Sequence, residues 1–217
     1  IGVGGQGGGL CRTFTHLTNC RVVAVCDPFK QRRESHTKRI NQQYGGEFCK
    51  AYNDLREVLA RDDIDAVVIA TPDHWHVLAA YMAVRSGKNV YVEKPLGISM
   101  EQNLALRDAC HRYGAIFQYG AQQRSQNHIR YACELVRNGR IGKLHSVEVH
   151  SPASGKGGST ASIPVPEGFD YDLWLGPAPE APYTKDRCTN LGAWFVSDYA
   201  LGFIAGWGAH PLDVAVW

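Results

Sequence analysis

Ile1-Gly-Val-Gly-Gly-Gln-Gly7 opens the chain, and the apolar run Arg21-Val-Val-Ala-Val-Cys26 delivers Asp27. Gly2, Gly4 and Gly7 satisfy the pattern Gly-x-Gly-x-x-Gly, in which glycines permit a tight turn and let the backbone approach a pyrophosphate. A glycine-rich turn with no ligand would share that feature. The order loop, helix, buried strand, acid selects the dinucleotide-binding unit instead. A carboxylate at position 27 can accept both ribose hydroxyls while repelling a 2′-phosphate, which favours NAD over NADP. Lys30, Arg32 and Arg33 keep NADP as the lesser option, although they also read as the solvated face of a helix.

Outward from this unit, strands and helices alternate. The first helix is expected from Gly8 to about Leu17, then a polar helix over about 30–43 and a short strand over 48–52. Asn53 or Asp54 caps a helix through Ala60. Ile64 to Ala70 reads as a buried strand halted by Thr71-Pro72, and Asp73 as the cap of a helix closed by Gly87. Asn89-Val-Tyr-Val-Glu93-Lys94-Pro95 is a strand that proline terminates, because it has no N–H for the ladder. Ser99 to Gln102 is a capping box, its helix ends at Gly114, and Ala115 to Tyr119 supplies another strand. This is the pattern of a doubly wound parallel sheet, an α/β fold, over residues 1–119.

Such sheets bind ligands at the carboxyl edge of their strands, where Thr71, Pro72, Glu93 and Lys94 fall with the glycine loop. Lys94 is the first candidate for chemistry. His76 is a candidate contact for the nicotinamide end, with helix-start packing as the alternative. His74 and His76 lie two residues apart and point to different faces of a helix, so no metal site is expected.

A second domain over 120–217 has another texture. Gln122 and Arg124 stand in a polar run suited to hydrogen-bonding polyols. A helix is expected from about Asn127 to Asn138, and Lys143 to His150 alternates as a half-exposed strand would. Ser151 to Asp170 is rich in Gly, Pro and Ser, a loop long enough to act as a lid or arm. Tyr171, Trp174, Tyr183, Trp194, Phe195 and Trp207 are dense enough for a sugar-stacking wall, in part or whole replaced by core; Trp174 is taken as a substrate contact.

Composition narrows the partners. With 217 residues, 44% apolar and 20% charged, this is an ordinary globular chain, and a net charge of +2 argues against a nucleic-acid footprint or a polybasic membrane surface. A small, neutral-to-polar substrate is expected. Seven cysteines without Cys-x-x-Cys suit a reducing compartment, hence the cytoplasm, and no apolar run reaches membrane-spanning length. Only Ile1 precedes the first glycine, and Leu212 to Trp217 ends within a helical pattern without a stop signal, so the chain reads as a fragment.

Gly2/Gly4/Gly7, Asp27, Thr71-Pro72-Asp73-His74-Trp75-His76, Glu93-Lys94-Pro95 and Gly206-Trp-Gly-Ala-His210-Pro-Leu-Asp213 together resemble the Gfo/Idh/MocA oxidoreductase family. The resemblance implies a Rossmann domain followed by an α+β domain with an open, mainly antiparallel sheet, incomplete here, that backs the active site and often forms homo-oligomers. It implies NAD(P)-dependent oxidation or reduction of sugars, inositols and related polyols, with Lys94 catalytic and substrate-binding. The histidine of the family's Asp-x-x-x-His motif falls on His210, also a substrate contact, and its later aspartate on Asp213. Where the motif has its first aspartate this chain has Gly206, which removes a carboxylate that would orient the histidine; Asp213 or Asp198 could compensate. Two other readings stay open: a glycosidase that oxidises its sugar transiently, and a non-catalytic NAD or sugar sensor.

Overall fold

The computed structural model describes residues 1–217, apart from the side chains of Asn190 and Leu191. Five short parallel strands form its centre: β1 (Ala24–Cys26), β2 (Lys50–Tyr52), β3 (Ala66–Ile69), β4 (Asn89–Val92) and β5 (Phe117–Tyr119). β1 pairs with β2, and β3 with β4 and β4 with β5. Residues 1–3 bridge the two groups, because Gly2 N donates to Cys26 O at 2.8 Å and Ala70 N to Ile1 O at 2.9 Å. The spatial order is thus β2, β1, residues 1–3, β3, β4, β5. The chain reverses direction across the sheet at the glycine turn, which opens a crevice there.

Helices cover both faces. α1 (Gly5–His16) and α2 (Lys30–Tyr44) lie on one, where Cys11 and Ile40 pack with Val3, Val25 and Cys49. α3 (Leu55–Leu59), α4 (Asp73–Arg85) and α5 (Met100–Tyr113) lie on the other, burying Val58, Leu59, Val77, Ala80, Val84 and Leu106 against Ile69, Val90 and Val92. The near-continuous apolar character of the strands follows from this two-sided cover. Capping is largely as the sequence implies: Asp54 accepts from Arg56 N, Ser99 from Gln102 N, and Gly45 and Gly114 close α2 and α5 in the left-handed region.

Three expectations need correction. α1 starts at Gly5, earlier than Gly8, because the glycine turn leads directly into its first turn. Asp73 does not cap α4; Pro72 occupies the cap position and Asp73 is the first helical residue, with its carboxylate turned inward and 5% exposed. Lys143 to His150 forms no strand, and its residues are exposed. A strand needs a neighbour for its backbone groups, and none lies beside this segment among the described residues.

After α6 (Asn127–Arg137), the C-terminal part returns to the Rossmann domain through α7 (Tyr171–Leu175), α8 (Asn190–Trp194), α9 (Gly202–Gly206) and α10 (Ala209–Ala215). Phe169, Tyr171, Trp174, Leu175, Ala193 and Tyr199 form a separate aromatic core. It is fastened to the sheet edge by Trp75 Nε1, which donates to Leu173 O and Trp174 O, and by a His74 ring nitrogen 3.0 Å from Trp174 O. Asn53 Nδ2 to Asp170 Oδ2, at 2.7 Å, and Phe29 stacked on Phe169 at 3.7 Å fasten the other end.

Candidate active site

A cleft of about 190 Å³ lies at the carboxyl edge of the strands, lined by the glycine turn, Asp27, Thr71-Pro72-Asp73, Glu93-Lys94 and, from the C-terminal part, Trp174 and Trp194. The three glycines have different physical duties. Gly2 has φ +77°, and a Cβ there would sit 2.7 Å from Ala70 O; a Cβ on Gly7 would sit 1.8 Å from Gly2 O. A Cβ on Gly4 would meet only Arg32 Nη1, at 3.5 Å, so its face is open to the cleft. No side chain caps α1, and its N-terminal amides are available to an anion.

Asp27 reaches the cleft, yet its carboxylate also organises the loop: Oδ2 accepts from Val3 N and Oδ1 from Phe29 N, both at 2.9 Å. Each oxygen keeps a lone-pair direction for a ribose hydroxyl. Arg33 is turned to Asp27 O, Pro28 O and Asn53 Oδ1. Arg32 is exposed, as the solvated-face reading expects, and its guanidinium also stacks 4.0 Å over Phe29 and lines the cleft.

His76 lines the cleft, but both of its ring nitrogens are engaged by backbone carbonyls. Its ring is 1% exposed and bridges Pro95 O at 2.6 Å and Thr71 O at 2.8 Å, bracing the threonine corner against the lysine loop. A neutral ring donates to only one of these carbonyls, but burial dominates and pushes the pKa down to about 4. Folded His76 is therefore neutral where unfolded His76 titrates near 6.5. The stability this gives is complete above about pH 6.5 and is lost as pH falls through about 4, a span worth about 3 kcal/mol. Urea midpoints measured between pH 7 and pH 4 should fall less for His76→Gln than for the native protein; equal slopes would exclude this role.

Lys94 is half-buried, and its Nζ donates to Gly206 O at 2.8 Å and sits 5.0 Å from the Trp194 ring. Burial lowers its pKa, against the upward pull of Glu93 and Asp73. Glu93 is buried; its carboxylate accepts from Gln6 Nε2, Tyr91 OH and Lys94 N. His210 lies four residues beyond Gly206, the partner of Lys94 Nζ, and its pKa is lowered by burial and by the Lys94 charge. The glycine turn, the threonine corner and Lys94 thus line one cleft, and His210 is not among its lining residues.

Other expected residues are engaged elsewhere or lie outside the lining, Trp174 excepted. Asp213 and Arg124 bind each other, Nε to Oδ2 at 2.7 Å and Nη2 to Oδ1 at 2.9 Å, so neither is free for the roles first given to it. Gln122 is half-buried with an unpartnered Oε1, outside the residues that line the cleft. Trp174 lines the cleft but is 4% exposed, packed in the aromatic core, where its carbonyl anchors His74 and Trp75. Asp198 is exposed. Four residues at the site went unmarked by spacing alone: Gln6, Tyr91, Asp73 as a cleft carboxylate, and Tyr119, whose phenol is pushed up to about 12 by burial and by Asp213, Glu93 and Asp73.

The residues fit a dinucleotide. The uncapped helix start and the open Gly4 face suit a pyrophosphate, and Thr71 Oγ1 and Asp73 Oδ2 are buried in the cleft wall without partners. Among the described residues no cluster suits a metal ion, and no helix is long and apolar enough to cross a membrane.

Comparison with known proteins gives the same picture. The model of an oxidoreductase family with an NAD-binding Rossmann fold matches residues 1–121, and that of the family's C-terminal alpha/beta domain matches residues 144–217. The 2,7-anhydro-N-acetylneuraminate hydratase of Mediterraneibacter gnavus is 30% identical over 155 residues, covering 71% of this chain and 38% of that one. A glycosyl hydrolase family 109 protein of Shewanella sp. strain MR-4 is 37% identical over 115 residues, covering 52% and 25%. Among solved structures, myo-inositol 2-dehydrogenase from Lactobacillus plantarum superposes with a TM-score of 0.61 at 28% identity, over 66% of this chain and 41% of that one. The chain therefore spans less than half the length of these relatives.

Proposed function

Because the chain belongs to the Gfo/Idh/MocA oxidoreductase family, with an NAD-binding Rossmann domain and the family's C-terminal alpha/beta domain, we propose that it transfers a hydride between nicotinamide and a secondary hydroxyl of a sugar, inositol or related polyol. The observation that supports this is the half-buried Lys94 amine in the lining of the cleft that begins at the glycine turn, with His210 near enough for the Lys94 charge to lower its pKa. The nicotinamide supplies the hydride acceptor; the chain must supply a group for the hydroxyl proton. Lys94 is suited to that task because burial lowers its pKa and so raises its neutral fraction at ordinary pH. His210 holds the same hydroxyl, and Glu93 fixes the backbone of Lys94. Asp27 favours NAD over NADP, with Arg32 as the feature that keeps the lesser option open. The polyol preference is supported by the inositol dehydrogenase among the similar structures.

A second reading is favoured by the names of the sequence relatives, a hydratase and a glycosyl hydrolase. Hydration and hydrolysis leave the oxidation state of the products unchanged, so a nicotinamide site serves them only if oxidation is transient and reversed in the same turnover. The two readings separate in one assay. The full-length protein is mixed with NAD and a panel of inositols, sugars and glycosides, and both NADH and products are followed. Stoichiometric NADH supports the first reading; cleaved glycoside without net NADH supports the second; neither, across the panel and in either direction, counts against both and for a non-catalytic sensor.

A further inference from the structure

The cleft contains three carboxylates, and two are engaged by the backbone or by amide and phenol groups: Asp27 by Val3 N and Phe29 N, Glu93 by Gln6, Tyr91 and the Lys94 amide. The third is Asp73. Its side chain is 95% removed from solvent, its Oδ2 has no hydrogen-bond partner, and its charge and that of Lys94 act on each other. Asp73 stands in the first turn of α4, where a helix start favours a carboxylate, but Pro72 occupies the cap position and Asp73 makes no side-chain cap bond. That role does not need the carboxylate to be buried with an unpaired oxygen facing a cleft, a placement that calls for another explanation.

The replacement at position 206 supplies one. With glycine there, no carboxylate reaches Lys94 from α9, and the Gly206 carbonyl takes one of its three protons. A methyl at Gly206 would already stand 3.3 Å from the Trp194 ring, so that side is closed to a longer side chain without movement of the indole. Asp213 is tied to Arg124 and Asp198 is exposed. Resting on the reading of Lys94 as proton acceptor, we propose that Asp73, which lines the same cleft, is the positioning carboxylate of this site: it stabilises the ammonium that Lys94 becomes on taking the hydroxyl proton.

The step balances as follows. The alcohol C–H bond breaks with its electron pair, which passes as hydride to the nicotinamide, the O–H proton bonds to Lys94 Nζ, and the carbinol carbon becomes a ketone. Asp73 donates and receives no atom in this step; its charge offsets the new ammonium in a place poorly solvated by water. Burial pushes the Asp73 carboxyl up to about 7 despite Lys94, so its charge is gained across neutrality, together with the capacity to hold the lysine proton. The other titratable groups around the pair are Glu93 behind Lys94, His76 on α4, Tyr119 at the end of β5 and His210 on α10.

The test reads Lys94 directly and needs neither substrate nor cofactor. Lysines of the full-length protein are ¹³C-dimethylated and titrated by NMR, and the Lys94 signal is identified by its loss in Lys94→Arg. Asp73→Asn, which keeps the shape of the side chain, should lower the Lys94 midpoint by roughly one to two pH units, while Asp213→Asn leaves it in place. In the unmutated protein the Asp73 carboxyl carbon should show the Lys94 titration as well as its own, which keeps the test decisive if Asp73→Asn does not fold. An unmoved Lys94 midpoint in folded Asp73→Asn, or a single titration at the Asp73 carbon, overturns the proposal. If Lys94→Ala loses turnover and the midpoint is unmoved, the proton-acceptor reading survives and the Asp73 assignment alone falls.

Discussion

Alanine at position 94 should lower turnover of the full-length protein by ~10²- to 10⁴-fold while leaving NAD affinity within about threefold. The size follows from what Lys94 does in the proposed reaction. A hydride leaves a secondary alcohol readily only if the hydroxyl proton departs with it, and a positioned base is worth that range of rate. Lys94 is the one lysine among the described residues that line the cleft, half-buried, with Nζ held by Gly206 O and its pKa lowered chiefly by burial. The affinity is spared for a separate reason. On this proposal the dinucleotide would be held by the glycine turn, the start of α1, Asp27 and the Thr71 corner rather than by the Lys94 side chain. Lys94→Arg should not restore the rate, because a guanidinium keeps its proton throughout the accessible pH range. Binding measured by fluorescence of NADH and turnover measured on the same preparation decide the matter: unchanged turnover in Lys94→Ala removes the lysine from the mechanism, and lost affinity would make it a cofactor ligand instead.

How far this site could be read from the chain alone depends on how local its causes are. The Rossmann half was legible because each device there acts within a few residues: a glycine that needs positive φ at position 2, the strand-stopping proline at 95, the caps Asp54 and Ser99. The position of Lys94 just beyond β4, in the cleft lining, was legible for the same reason. What could not be read was competition between distant partners. Arg124 and Asp213 are 89 residues apart, and each satisfies the other. Trp174 and Trp75 meet through one carbonyl across 99 residues, which packs most of a supposed stacking surface into core while Trp174 still lines the cleft. Asp73 at a helix start has the residue type of a cap, and only its inward-facing carboxylate distinguishes the two roles. The alternation over 143–150 gave a strand pattern, but pairing is a property of two segments and the second is missing from its side.

The glycines at 4 and 7 offer the strongest separation of folding from binding. Gly7→Ala should lose dinucleotide binding and stability together. The added methyl would stand 1.8 Å from Gly2 O and 2.9 Å from Gly2 C, both backbone atoms of the turn that links residues 1–3 to β1 and β3, so it can be admitted only by displacing that turn. Overpacking of this kind costs about 1–3 kcal/mol or more, enough to lower the melting temperature by several degrees. Gly4→Ala should leave the melting temperature within about 2 °C, because its methyl meets only the end of the flexible Arg32 side chain at 3.5 Å and the backbone there is extended. Its affinity should nonetheless fall by at least about tenfold, or 1.4 kcal/mol, because the methyl occupies the face against which a pyrophosphate must lie. Thermal unfolding with and without NAD reads both quantities. A Gly4→Ala protein that NAD stabilises as strongly as the native one would mean that the cofactor does not lie along this turn. The cleft that ends at Lys94 would then have to be approached from the Trp194 side, and the hydride-transfer reading would lose its geometry.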